Sequence, residues 1–149
     1  NIEDKNLLYN ILKKTSILKL ELTTVRVRTK DYYSIIFKIF DMIRSIFLKK
    51  PFALGGFMLF KTSVVKKLGG FNVEDKIAED FTLSSKINYN KFKIFDDIVY
   101  TSSRRFRKKG VLYMIKIMIL SYLNKNNPEF FKQDFNYFDE KNIKWSIIY

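Results

Sequence analysis

Two adjacent carboxylates, Glu79 and Asp80, open a segment with helical spacing, and a glycine pair, Gly69 and Gly70, turns the chain shortly before them. A hydroxyl is a poor nucleophile until a base removes its proton, and a positioned carboxylate can give about 10²–10⁴-fold of such help. In a first helical turn the dipole favours its charged form. Further along, Ser102–Gly110 reads SSRRFRKKG, a basic stretch suited to anions. The chain contains neither cysteine nor histidine. Thiolate nucleophiles, disulfides, zinc–cysteine sites and Ser-His-Asp catalysis are therefore excluded. The chemistry left to it uses carboxylates, Lys, Arg, Tyr, hydroxyls and backbone.

These groups need elements to hold them. Leu7, Leu8, Ile11 and Leu12 predict a helix over 5–14. Residues 17–28 alternate as a half-buried strand, with Lys19, Glu21, Arg26 and Arg28 on its polar face. Residues 31–49 return to helical spacing. Ser34, Lys38, Asp41 and Ser45 form the polar line and Ile, Phe and Met the broad apolar face. That helix either packs on a sheet or lies on a membrane surface, aided by Arg44, Lys49 and Lys50.

An apolar strand over 51–60 is interrupted by Gly55 and Gly56, the mark of a bulge or a close backbone approach. A short helix over 62–67 ends at the Gly69 cap. Further elements are a helix over 77–88, a strand over 92–101, a basic loop over 102–110 and a helix over 111–124 with Lys116 as its one charge. The last is too short to span a bilayer and too apolar to stand in water, so it packs on the body, a partner or a bilayer surface. Phe71 is expected in the core rather than as a stacking platform. The aromatic tail from 129 is expected to end in a short strand, IKWSII.

A chain of 149 residues, 47% hydrophobic and 17% aromatic, can build one domain with a core. Its net charge of +13 attracts anions, whether nucleic acid, anionic lipid or nucleotide diphosphate. It opens at Asn1 without an initiator Met or an apolar leader, as expected of a piece of a longer protein.

In order, these motifs are a strand with Gly55-Gly56, a short helix, Leu68-Gly69-Gly70-Phe71, Glu79-Asp80 opening a helix, a strand, and Ser102-Ser103-Arg104-Arg105 with Gly110. Over about 51–123 this resembles the family 2 glycosyltransferases with a GT-A fold. The resemblance implies an α/β fold, part of a GT-A mixed sheet flanked by helices, with the N-terminal nucleotide-binding half absent. Residues 1–128 would be the C-terminal part of that domain and 129–149 an extension. It implies inverting transfer of a sugar from a nucleotide-diphosphate donor to an acceptor hydroxyl. Asp80 matches the base and Glu79 its orienting neighbour. Arg104 and Arg105 match the basic segment near the diphosphate. Gly55, Gly56, Gly69 and Gly70 would supply backbone around the sugar and the acceptor.

The family's Asp-x-Asp motif, which holds Mn²⁺ or Mg²⁺ on the diphosphate, has no counterpart here, because Asp96-Asp97 are adjacent and follow the catalytic helix. The implied metal would therefore have no ligands in this chain, and the piece alone is not expected to transfer sugar. Expected partners are a nucleotide-diphosphate sugar, a glycan or lipid-linked acceptor and an anionic membrane surface, with no nucleic acid. The expected location is cytoplasmic, peripheral on the inner face of the membrane. The alternative is a basic module that binds nucleic acid or a membrane surface without catalysis.

Overall fold

The computed structural model describes residues 6–46, 51–53 and 56–135. Gly55, Lys49, Lys50 and the expected IKWSII strand lie outside the described residues. The chain is a mixed α/β structure in which helices flank a small sheet. In order come α1 (Leu7–Ile17), β1 (Leu22–Arg28), α2 (Ser34–Ile46), β2 (Met58–Phe60), α3 (Thr62–Leu68), α4 (Glu79–Ser84), β3 (Phe92–Tyr100), α5 (Arg104–Lys109), α6 (Val111–Leu123) and α7 (Pro128–Phe131). The sheet order is β2-β1-β3, antiparallel between β1 and β2 and parallel between β1 and β3.

β1 is the central strand, and it is covered on both faces. Val25 and Val27 pack with Leu7, Ile11, Phe95 and Val99, while Leu22 packs with Ala53 and Ile87. Thr23 and Thr24 are fully buried, their hydroxyls bonded to Thr15 Oγ1 and to the Phe57 carbonyl at 3.0 and 2.7 Å. The predicted strand over 17–28 is therefore shortened. α1 runs on to Ile17, and Lys19 turns the chain with φ at 51°. Strand 51–60 contracts in the same way to three residues.

Two expectations about polar faces are corrected. Arg28 does not face solvent, and neither does Asp41 on α2. The two form a buried ion pair, and Arg44 meets the second oxygen of Asp41 at 2.7 Å. Arg44 also donates to the carbonyls of Phe52 and Val25, at 3.1 and 3.4 Å. Burial pushes the Arg44 guanidinium down from its ordinary pKa, and Asp41 opposes the shift. An ion network joining α2 to β1 thus draws Asp41 inward from the line that spacing assigns to solvent, while Lys38 of that line stays exposed. Part of the apolar face of α2 turns outward instead.

Phe71 is not core. It is half-exposed, with its ring edge-on to Phe60 at 6.5 Å. Asp96 and Asp97 form a bulge on β3, where the register jumps from Val25↔Phe95 to Arg26↔Ile98. Arg26 holds Asp96 at 2.6 Å and Lys14 holds Asp97 at 3.3 Å.

Candidate active site

α4 is shorter than its spacing predicts, six residues rather than twelve. Ala78 precedes it with φ at 51°, a left-handed conformation that prevents the helix from extending back through Ile77. At the other end, Ser84 and Ser85 donate their hydroxyls to the carbonyls of Phe81 and Thr82, at 3.2 and 3.1 Å. Such side-chain bonds compete with continuation of the helix. Phe81 and Leu83 are buried and anchor the inner face, and Glu79 and Asp80 stand half-buried at its start. Asp80 Oδ1 accepts the Phe81 N–H at 2.8 Å.

The loop that delivers Glu79 and Asp80 is pinned from both sides. Lys76 N–H donates to the Phe131 carbonyl at 2.8 Å. Lys132 pairs with Glu74 at 2.9 Å and Glu129 at 2.8 Å, contacts that raise its pKa, the Glu129 bond foremost. Thr82 donates to Asp75 at 2.8 Å.

The basic stretch 102–110 is not a loop: Arg104–Lys109 form α5. Its start is fixed by Ser103, which donates to Asp31, and by Arg107 Nε, which donates to Ser103 Oγ at 3.0 Å. The Ser103 bond is the main reason the Asp31 carboxyl lies below its ordinary pKa, with further lowering from Thr29, the Tyr33 backbone and Arg107. Gly110 ends α5 at φ 83° and ψ 155°, a conformation that in practice requires glycine, and α6 begins directly after it.

These pieces meet at a pocket of about 360 Å³. Ala78, Glu79 and Asp80 line one side, and Thr101, Ser102, Arg104 and Arg105 another. Ile36, Phe37 and Phe40 of α2 and Met114, Ile117 and Met118 of α6 supply an apolar wall. Gly56 also lines it. A side chain there would come within 3.0 Å of Val27, so this glycine is a close-approach position.

Of the sequence-predicted site residues, Glu79, Asp80, Arg104, Arg105 and Gly56 share the pocket. Gly69 and Gly70 do not line it. They close α3 in left-handed conformations, where Gly70 N–H bonds back to the Val65 carbonyl at 3.0 Å. Sequence reasoning missed Asp31 and Ala78. A serine directly before a basic run is a helix-start signal that could have revealed α5, but nothing local marks Asp31 as its partner.

Chemically, the pocket is lined by two acidic residues and two arginines. It can hold an anion against Arg104 or Arg105 while a carboxylate accepts a proton. The donor set does not fit a divalent cation. Among the described residues no three carboxylates come together, and Asp96 and Asp97 are engaged by Arg26 and Lys14. No protein-family model, curated protein or solved structure matches the chain.

Proposed function

We propose that this chain is the acceptor-side part of a family 2 glycosyltransferase domain of GT-A type, catalysing inverting transfer from a nucleotide-diphosphate sugar. The observation that carries the reading is the convergence of Asp80, Glu79, Arg104 and Arg105 on one pocket although Asp80 and Arg104 lie on different helices. In the proposed step the acceptor oxygen bonds to the anomeric carbon, and the bond from that carbon to the diphosphate oxygen breaks with its electron pair. The acceptor proton passes to Asp80. Arg104 and Arg105 meet the charge that grows on the leaving phosphate, where a planar guanidinium can make two parallel hydrogen bonds. Asp31 and Ser103 are positioning residues, because they fix the start of α5 and so the place of both arginines. The nucleoside-binding strands and any metal ligands would come from outside these 149 residues.

The test is turnover in the full-length protein that carries this sequence. Asp80→Asn is expected to lower sugar transfer by about 10²–10⁴-fold while donor binding stays nearly intact. Unchanged turnover would remove Asp80 from the mechanism.

A further inference from the structure

Helix α6 is apolar on both sides. Met114, Ile117 and Ser121 are buried, and about half a turn away Leu112, Ile115, Ile119 and Leu123 form an outward row. Leu112 is 83% exposed, Leu123 68% and Ile119 55%. Steps of three, four and four keep the row on one face. α2, across the pocket, repeats the pattern with Ile35, Ile39 and Met42 outward while Asp41 and Arg44 are buried. Soluble surfaces rarely leave such contiguous apolar rows uncovered.

The charge around the row selects what covers it. Between Ile98 and Pro128 the chain carries seven basic residues and no carboxylate. Lys116 sits beside the row, and Arg104, Arg107 and Lys108 are exposed on α5, which runs straight into α6. A second copy would bring like charges together, and a nucleic acid would leave the leucines and isoleucines in water. An anionic bilayer surface accommodates both features.

We propose that the outer face of α6 docks on an anionic lipid surface. Leu112, Ile115, Ile119 and Leu123 enter the boundary between headgroups and acyl chains, and Lys108, Lys109 and Lys116 meet the headgroups. The helix lies on the membrane, since no helix among the described residues is long and apolar enough to cross one. Met114, Ile117 and Met118 line the pocket from the opposite side of the same helix. Docking therefore holds the pocket about one helix diameter, ~10 Å, from the lipid surface. The inference stands apart from sugar transfer.

The experiment is co-sedimentation of the full chain with vesicles of phosphatidylcholine alone and of phosphatidylcholine mixed with phosphatidylglycerol, at low and high salt. Binding is expected only to the anionic vesicles, and salt should weaken it. Leu112→Glu with Ile119→Glu alters exposed positions only and should weaken binding about a hundredfold. Lys108→Glu with Lys109→Glu, which spares the apolar row, should weaken it about tenfold or more. Absence of binding to anionic vesicles would overturn the proposal, as would binding that the Leu112/Ile119 pair of changes leaves intact. A stable dimer in light scattering, dissociated by those same changes and without vesicle binding, would assign the face to a second copy instead.

Discussion

Asp41 lies between two guanidiniums inside the molecule, at 2% exposure, with Arg28 at 7% and Arg44 at 3%. Charges this deep lose their hydration, so their balance decides their effect more than their number. Asp41→Ala would leave Arg28 and Arg44 facing each other without a counter-charge, and it should destabilise the fold by about 3–5 kcal/mol in urea unfolding at neutral pH. Asp96→Ala makes the contrast. The Asp96 side chain is almost fully exposed, so loss of its bond to Arg26 should change stability by about 0–1 kcal/mol. Equal effects of the two substitutions would show that the buried network does not hold α2 to β1. Spacing set Asp41 among outward polar residues because it reports only what a helix presents along its own axis. Arg28, the partner that draws Asp41 inward, sits on a neighbouring strand and leaves no mark in the local pattern.

The same distinction separates the elements that were legible from those that were not. α3 with its Gly69 cap, β3 and α6 lie close to where their sequences place them, since caps, alternation and a long apolar run are local signals. α4 and α5 differ because tertiary contacts set their limits: a left-handed Ala78 and back-bonding serines bound the first, and a bond from Ser103 to Asp31 starts the second. Glu79, Asp80, Arg104 and Arg105 were therefore readable as residue types, and so was a helix opening at Glu79, while its early end and the whole of α5 were not. Gly110 is where α5 stops and α6 starts, and its φ of 83° with ψ of 155° is unfavourable for any residue with a Cβ. No atom lies within 4 Å of where that Cβ would sit, so the penalty of a substitution is conformational and not steric. Gly110→Ala should destabilise by about 1–3 kcal/mol in thermal or urea unfolding. An unchanged midpoint would mean that the α5–α6 junction can relax without that conformation.

At the scale of the whole molecule, the pocket rests on an aromatic layer assembled from distant parts of the chain. Phe52, Phe81 and Ile117 pack with Phe130 and Phe131 of α7, and the ring centroids of Phe52 and Phe81 are 4.6 Å apart. α7 thereby reaches both the helix that bears Asp80 and the helix that carries the exposed apolar row. The segment from 129 onward, expected from the sequence as an extension, begins with Phe130 and Phe131, which are buried, and the Phe131 carbonyl accepts the Lys76 N–H. A chain ending at Pro128 loses both rings, that bond and the Lys132 ion pairs with Glu74 and Glu129. Removal of each buried phenylalanine side chain costs about 3–5 kcal/mol, and domains of this size are stable by only about 5–15 kcal/mol in all. The shortened chain should therefore lose its cooperative thermal transition in circular dichroism. A chain ending after Phe135 keeps every contact named here and serves as the reference. If the chain ending at Pro128 melts at the same temperature as that reference, α7 is an appendage, and the support it gives to the loop before Glu79 has to come from elsewhere in the fold.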